Sequence, residues 1–307
     1  MCKSKISVII ATHNRAALLP DSVKSIQEQS LDNIEIIIID DASVDDTSQV
    51  IKKLEKEDQR VIGIRLFKNS GPGAARNRGI EIAQGEYIAI MDDDDFALPK
   101  RLEIESKILD ENSEIGLVFS AVEWLDKNLN PISKWPGIVI QGDFPQDTDE
   151  IFKLLYLKSN KIPNPTVMFR QELFKWFKYP EHIWGPEDWM LFLKMAAKGI
   201  RMFAISEPLV LMRRDREHLR LMKSTQKSFD ANRQALDEIN EWLDSEEIER
   251  FKKLRKAALS NQISREAKYW GEPRSIPICL KAIFISPTNL FGYKTLFELL
   301  LKFLKRL

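Results

Sequence analysis

The sequence has few of the features that are typical of secreted proteins, cysteine-ligated metalloproteins or membrane-spanning proteins. Its 307 residues include only two cysteines, Cys2 and Cys279, which lie far apart and form no CxxC or metal-ligand pattern. This scarcity predicts a reducing, cytoplasmic setting. The apolar stretch near the N-terminus is too short for a signal peptide. No run approaches the ~20 apolar residues of a membrane-spanning helix.

An excess of charge is also missing. Lys plus Arg and Asp plus Glu number 46 each, so the chain lacks the basic excess that is typical of nucleic-acid-binding domains. We therefore expect no nucleic-acid partner. Apolar residues make up 44% of the chain, which is enough to bury a sizeable core.

Four near-continuous apolar and β-branched segments occur in the first hundred residues. They are ISVIIA (6–11), IEIIIID (34–40), VIGIRLF (61–67) and YIAIM (87–91). This pattern is typical of parallel strands that are buried on both faces. Segments with helical spacing separate them, and the alternation predicts an α/β fold with a mostly parallel central sheet. Ligands bind such sheets outside the carboxyl ends of the strands, so the loops there form the predicted site.

Four consecutive carboxylates, Asp92 to Asp95, follow the last of these strands. Like charges about 4 Å apart repel by roughly 1 kcal/mol in water and by more near a protein surface. A D-x-D spacing at a strand end can hold a divalent cation through oxygen ligands and leave positions for water and phosphates. The alternative is an exposed acidic turn that caps the helix beginning near Pro99.

Two more clusters follow neighbouring strands. Asp40 and Asp41 close the second strand, where a carboxylate can accept hydrogen bonds from a base or ribose; the alternative role, capping the next helix, is assigned to residues 45–47. The glycine turn SGPGAARNRG (70–79) lacks the third glycine of a dinucleotide fingerprint, because Arg76 stands there. It is either a plain turn or the entry to a helix that presents Arg76 and backbone N–H groups to a nucleotide.

A separate carboxylate pair, Glu187 and Asp188, begins a predicted helix beside Trp184. The pair can complement the helix dipole, or it can include a partly desolvated base near a sugar ring. His218 follows a further predicted strand, MFAISEPLVLMR (202–213), and is a candidate metal ligand. A cation held by one or two aspartates has room for an imidazole.

Five segments, in this order, resemble the motifs of the inverting family 2 glycosyltransferases with the GT-A fold: SVIIATHNR, IIIIDDASVDDT, NSGPGAARNRG, YIAIMDDDDFALPKRL and GPEDWMLFLKMAAKG. The resemblance covers roughly residues 4–215. It implies a GT-A domain at 1–220, with a nucleotide-binding half at 1–100 and an acceptor half at 101–220. Residues 221–307 are rich in charged, helix-forming residues and are predicted as a helical C-terminal extension.

The resemblance also implies the chemistry. We expect Mn2+ or Mg2+ as cofactor, a nucleotide-diphosphate sugar as donor, with a UDP-sugar as the first choice, and a saccharide or lipid-linked saccharide as acceptor. Transfer to the acceptor hydroxyl would invert the anomeric centre and serve cell-envelope polysaccharide or glycolipid biosynthesis.

Site residues follow from their positions in the matched motifs. Asp188 corresponds to the general base, with Glu187 beside it. The nucleotide contacts correspond to Thr12, Asn14, Arg15, Asp40, Asp41, Arg76, Asp92 and Asp93. The metal ligands correspond to Asp94 and Asp92, with His218 as a further candidate. The chain departs from the common form in having Asp93 as the middle residue, which leaves the metal assignment ambiguous between neighbours. The acceptor face is expected in 126–185, including Trp135, Asn164, Thr166 and Trp184.

Two other functions compete with this one. A catalytically silent nucleotide-sugar or glycan-binding protein could retain the same fold. A nucleotidyltransferase would share the nucleotide and metal, but the first strand is followed by ATHNRAALL instead of a glycine-rich start with a following Arg and Lys.

The C-terminal segment has its own alternatives. Lys294, Glu298, Lys302 and Lys305 fall at helical spacing, and Leu and Phe cover the rest of the segment. This pattern predicts a helix that lies peripherally on the cytoplasmic face of the membrane, or one that packs on its own domain or across a dimer.

Overall fold

The computed structural model describes residues 5–132, 144–158, 160–213, 225–270 and 275–304. Strands in these ranges are β1 (Ile6–Thr12), β2 (Ile34–Asp40), β3 (Val61–Arg65), β4 (Tyr87–Asp92), β5 (Phe96–Ala97), β6 (Ile115–Leu125), β7 (Met168–Arg170) and β8 (Arg201–Arg213). They form one sheet in the order β3-β2-β1-β4-β7-β6-β8-β5.

Helices flank this sheet and then continue beyond it. Those of the first part are α1 (Leu19–Gln27), α2 (Thr47–Glu57), α3 (Pro72–Ile82), α4 (Arg101–Glu111), α5 (Thr148–Lys158) and α6 (Glu187–Ala197). Four more follow β8: α7 (Thr225–Trp242), α8 (Ser245–Trp270), α9 (Ser275–Ile285) and α10 (Leu290–Leu304). A proline lies in the first turn of α1 and of α3, where it costs no helical hydrogen bond.

The α/β fold with a mostly parallel sheet is confirmed. β2, β1 and β4 pair in parallel, as do β2 with β3 and β6 with β8. Only the short strands β7 and β5 run antiparallel to their neighbours in the described sheet. Both were missing from the sequence-based assignment, because two or three residues carry no detectable periodicity.

The strand register brings the predicted site residues together. Thr12 at the end of β1 pairs with Asp40 at the end of β2. Ala11, one residue earlier, pairs with Asp92 at the end of β4. The polar segments that follow these strands therefore meet at one carboxyl edge, which we call the rim.

Both faces of the sheet are buried, as the continuous apolar runs predict. Successive side chains of a strand point to opposite faces, so Ile9 and Ile37 pack toward α3, α5 and α6. Ile10 and Ile38 pack toward α1, α2 and α4. Each face buries a continuous apolar layer, which is the main stabilising contribution in such a fold.

The C-terminal helices pack on the sheet domain through α5 and α6. Phe251 of α8 stacks on Phe152 of α5, with ring centroids 3.9 Å apart. Asn261 and Arg265, also on α8, donate to the carbonyl oxygen of Leu157 at 2.9 and 3.0 Å. The domain boundary predicted near residue 220 lies in 214–224, outside the described residues, and stays a prediction. None of the helices in the described ranges is both long and apolar enough to cross a membrane.

Candidate active site

Asp41 anchors the glycine turn to the rim. Its two carboxylate oxygens accept from the backbone N–H groups of Ser70, at 2.7 Å, and Gly71, at 2.8 Å. Gly71 has φ = 89° and ψ = 165°, a backbone conformation that essentially only glycine adopts. Each oxygen of an ionised carboxylate can accept a second hydrogen bond, so Asp41 keeps acceptor capacity for a ligand.

Asp40 is turned toward the loop between β2 and α2. One of its oxygens accepts from the backbone N–H of Ser43 at 2.8 Å, and the other accepts from the Ser48 hydroxyl and from Arg65 Nη1 at 3.4 Å. The side chain is buried. These contacts hold the loop, and the contact to a nucleotide base stays a prediction.

His13 links three loops of the rim. The Asn14 amide is oriented because its oxygen accepts from the backbone N–H of Val44 at 2.7 Å. Its Nδ2 therefore donates to His13 Nε2 at 3.0 Å, and Asn69 Nδ2 lies at the same distance from that nitrogen. His13 Nδ1 carries the proton and donates to the carbonyl oxygen of Asp41 at 2.7 Å. Asn14 itself has φ = 55°, a conformation that Asn tolerates better than most residues.

The acidic cluster concentrates negative charge at the end of β4. Burial first and Asp94 second raise the pKa of Asp93 to about 7, whereas the Thr12 hydroxyl and Arg15 oppose that rise. Arg15 Nε lies 3.9 Å from Asp93 Oδ1. Burial and Asp94 also raise the pKa of Asp95 well above its ordinary value. Burial and the neighbouring carboxylates therefore disfavour the ionised forms of Asp93 and Asp95.

The donor set fits a divalent cation. Asp92 and Asp94 are half-buried at the rim, and hard carboxylate oxygens are the ligands that Mg2+ and Mn2+ prefer. A bound cation would favour the ionised form of Asp93, whose pKa is raised by burial and by Asp94. Within the part of the chain that the structure describes, no three His, Cys, Asp or Glu side chains converge as a ready-made cage. His218 lies outside the described residues.

Arg76 connects the acidic cluster to the second carboxylate pair. From α3, its Nη2 donates to Asp92 Oδ1 at 3.1 Å, and its Nη1 donates to Glu187 Oε1 at 2.8 Å. Burial by itself lowers the pKa of Arg76, but Asp92 and Glu187 outweigh it and raise that pKa above its ordinary value. The two carboxylates are thus joined through one buried cation.

Tyr179 and Asn164 support the Arg76 side chain. The guanidinium carbon of Arg76 lies 5.5 Å from the centre of the Tyr179 ring. With the Asn164 amide turned so that both its ends are satisfied, its oxygen accepts from Arg76 Nε and Nη2 at 3.2 Å, and its nitrogen donates to the Tyr179 hydroxyl oxygen at 3.1 Å. Asn164, which was predicted on the acceptor face, is buried, and its side chain contacts Arg76 and Tyr179.

Asp188 has a different environment from Glu187. Glu187 uses both oxygens in fixed contacts, to Arg76 and to the backbone N–H of Gly185 at 2.7 Å. Asp188 is half-buried and accepts from Asn160 Nδ2 at 2.8 Å and from its neighbour's backbone N–H at 2.6 Å. Burial and then Glu187 raise the pKa of Asp188 to about 8, against the opposing effect of Arg76. Such a carboxylate is a stronger base than an ordinary aspartate.

The remaining acceptor-face candidates differ in their placement. Trp184 is 51% exposed and lies against the glycine turn, since a Cβ on Gly71 would come within 2.3 Å of its indole nitrogen. Thr166 is fully buried, and its hydroxyl donates to the carbonyl oxygen of Pro163 at 2.8 Å. Trp135 lies outside the described residues.

Three residues near the site carried little or no sequence signal. His13 lies in the first motif but is not among the predicted site residues, and Asn160 and Tyr179 lie in segments without a recognisable motif. Asn160 is 28 residues from its partner Asp188, and Tyr179 is more than a hundred residues from Arg76. Only the fold brings each of these pairs together.

Comparisons with known proteins define the family. The model described as "Glycosyl transferase family 2" matches residues 7–177. An uncharacterized glycosyltransferase of Methanocaldococcus jannaschii is 32% identical over 217 residues, which cover 69% of this chain and 72% of that protein. The chain therefore belongs to glycosyl transferase family 2, a family of enzymes that transfer sugars.

Two other relatives are matched over a smaller share of their length. An uncharacterized glycosyltransferase of Rickettsia felis is 36% identical over 64% of this chain, which spans 31% of that protein. A Campylobacter jejuni protein named GalNAc(5)-diNAcBac-PP-undecaprenol beta-1,3-glucosyltransferase is 44% identical over 98 residues, or 31% of each chain.

Solved structures share the fold at low identity. S. aureus TarS 1-349 in complex with UDP-GlcNAc has a TM-score of 0.65 and 22% identity, over 90% of this chain and 76% of that one. The mannosyltransferase PcManGT of Pyrobaculum calidifontis, in complex with GDP-Man and Mn2+, has a TM-score of 0.56 and 18% identity, over 95% and 83%. These likenesses agree with the GT-A fold that the sequence motifs predicted.

The contact between Gly71 and Trp184 gives a stability prediction. Gly199 at the end of α6 also has positive φ but has no neighbour within 4 Å of an added Cβ, so Gly199→Ala should cost only the backbone strain, about 1–2 kcal/mol. Gly71→Ala adds a clash with Trp184 and should lower the free energy of unfolding in urea by more. The contact itself is tested by making Gly71→Ala in a Trp184→Ala background, where the substitution should cost less than in the wild type; equal costs in the two backgrounds would contradict the contact.

Proposed function

We propose that the protein is a metal-dependent inverting glycosyltransferase. It moves a sugar from a nucleotide-diphosphate sugar to a hydroxyl of a saccharide or lipid-linked saccharide, in polysaccharide or glycolipid biosynthesis. The observation that carries the proposal is the buried guanidinium of Arg76, which contacts both Asp92 of the acidic cluster and Glu187 beside the base. One edge of the site thus suits a diphosphate and its cation, and the adjoining edge suits proton transfer.

In this proposal the nucleotide binds to the loops that follow β1, β2 and β3. Support comes from hydrogen-bonding side chains that converge there and from the loop contacts that fix them. The proposed nucleotide contacts are Thr12, Asn14, Arg15, Asp40, Asp41, Arg76, Asp92 and Asp93. A UDP-sugar is the first donor to test, since the TarS structure with the higher TM-score was solved with UDP-GlcNAc and the mannosyltransferase with GDP-Man.

Asp92 and Asp94 would hold Mn2+ or Mg2+ at the acidic cluster. When bound, such a cation supplies Lewis-acid stabilisation of the negative charge on a leaving diphosphate. The D-x-D spacing and partial exposure of Asp92 and Asp94 support this role, and Mn2+ is present in the mannosyltransferase complex. His218 remains a proposed additional ligand.

Asp188 performs the proton transfer. A sugar hydroxyl is a weak nucleophile at neutral pH, so a carboxylate must accept its proton during attack. The hydroxyl oxygen bonds to the anomeric carbon while the bond from that carbon to the diphosphate breaks. The diphosphate leaves with the electron pair, and the hydroxyl proton goes to Asp188. One displacement of this kind inverts the anomeric configuration. Glu187 and Arg76 keep Asp188 beside the donor without taking the proton.

The proposed location is the cytoplasm, peripherally on the cytoplasmic membrane face. The support is the name of the Campylobacter jejuni relative, which includes an undecaprenol-linked saccharide. A lipid-linked acceptor would be met at a membrane surface.

The direct test is a transfer assay with a panel of nucleotide sugars and acceptors in Mn2+ or Mg2+. Transfer should stop in excess EDTA. Asp188→Asn should lower kcat by about 10²–10⁴-fold, the usual contribution of a general base, while calorimetric donor affinity stays within a factor of two or so. Asp237→Asn, an exposed aspartate on α7, is the matched control and should be active. Loss of donor binding together with activity in Asp188→Asn would contradict the assigned role.

The raised pKa of Asp188 predicts the pH dependence of transfer. Below a pH of about 8 Asp188 is increasingly protonated and cannot accept a proton, so kcat/KM should rise with pH and level off above about 8. Asn160→Leu removes a hydrogen bond that is donated to the ionised Asp188 carboxylate, so the pKa of Asp188 should rise further. The rising limb of the profile of kcat/KM against pH should then move to higher pH by about one unit. Asn112→Leu, at the end of α4, should leave the limb in place. An unshifted limb in Asn160→Leu would show that Asp188 is not the titrating base.

A further inference from the structure

The last two helices leave large apolar side chains uncovered. Phe284 on α9 is 85% exposed, and Leu290 on α10 is 79% exposed. Other exposed residues fall at helical spacing with them: Pro277, Leu280 and Lys281 on α9, and Tyr293, Lys294, Phe297 and Leu300 on α10. Spacings of three, four and seven residues place each set on one face of its helix. We call these two faces together the α9–α10 surface.

The opposite faces of the same helices are packed. Cys279 of α9 and Leu299 of α10 are buried with Ala267 of α8. The two helices also approach closely, because a Cβ on Gly292 would lie 3.1 Å from Ile283 Cγ1. The exposed side chains therefore do not belong to a loose segment. They form the outer side of a packed three-helix arrangement, where apolar residues of this size mark an interaction surface.

The charge of this segment is strongly biased toward basic residues. Residues 275–307 contain five basic residues and one acidic residue, Glu298. Lys281 and Lys294 stand within the α9–α10 surface itself and are exposed. Exposed leucine and phenylalanine side chains interleaved with lysine are typical of helices that lie in the interface of an anionic membrane. Each lysine near such a surface adds electrostatic attraction to the anionic headgroups, and salt weakens that attraction.

We propose that the α9–α10 surface docks the protein on an anionic lipid bilayer. A second copy of the chain fits less well, because two-fold pairing sets the same basic surface against itself, with Glu298 as the single acidic residue of the segment. The bilayer supplies both apolar chains and anionic headgroups.

A continuous series of packed helices links the α9–α10 surface to the helix that carries Asp188. α8 packs on both α9 and α5, and α5 packs on α6, the helix that begins with Glu187 and Asp188. The role that we assign to docking rests on the proposed function, because a lipid-linked acceptor would be located at the membrane surface. The surface itself is defined without reference to catalysis, so vesicle binding and sugar transfer can fail separately.

The test is flotation of the full-length protein with vesicles of pure phosphatidylcholine and of an equimolar mixture with phosphatidylglycerol. The protein should bind the anionic vesicles about tenfold or more tightly than the neutral ones, and high salt should remove most of this preference. Phe284→Asp/Phe297→Asp should reduce binding to anionic vesicles by about tenfold or more. Lys281→Ala/Lys294→Ala should reduce the preference for anionic over neutral vesicles.

Matched controls separate docking from general stickiness. Trp176→Asp removes an equally exposed aromatic residue outside this surface, and Lys52→Ala/Lys53→Ala removes two exposed lysines of α2; both should bind vesicles like the wild type. Failure of the wild type to bind anionic vesicles, or unchanged binding of Phe284→Asp/Phe297→Asp, would overturn the proposal. So would a wild-type dimer in light scattering that this variant makes monomeric without any vesicle binding. Transfer to a water-soluble acceptor, measured alongside, tests the proposed function independently.

Discussion

The arrangement of the site depends on the buried guanidinium of Arg76. A buried cation costs several kcal/mol unless partners compensate it, and Arg76 has two carboxylate partners from distant parts of the chain. Asp92 belongs to the end of β4 and Glu187 to the start of α6. The planar fork of arginine can serve both at once, which a single ammonium group cannot do with the same geometry. The rim and helix α6 are consequently held as one unit.

This interaction separates the roles of the two adjacent carboxylates. Glu187 is committed to Arg76 and to the backbone of Gly185, so it is a positioning residue. Among the described residues, Asp188 has one side-chain hydrogen-bond partner, Asn160, and its pKa is raised. In the proposed mechanism the Arg76 guanidinium binds both Glu187 and Asp92. It therefore also fixes the distance between the base and the acidic cluster, where the diphosphate and its metal would bind.

The long strands and the rim were predictable from the sequence because their signals are local. A run of β-branched residues marks a doubly buried strand, and parallel pairing then aligns Asp40 and Asp92 at one edge. The strands β5 and β7 were not predictable, because they exist only through their neighbours. The orientation of Asp40 toward its own loop and the hydrogen bond from Asn160 to Asp188 could not be predicted from the sequence for the same reason. Each depends on a tertiary contact rather than on a residue's position in a motif.

The central claim is that Arg76 couples the donor rim to the helix that carries the base. A double-mutant cycle on kcat/KM tests it most directly, with Asp92→Asn, Glu187→Gln and both together. Because both carboxylates act through one guanidinium, the account predicts that the effects are not additive, with a coupling energy above about 0.5 kcal/mol. Effects that add to within about 0.3 kcal/mol, as for independent sites, would contradict it.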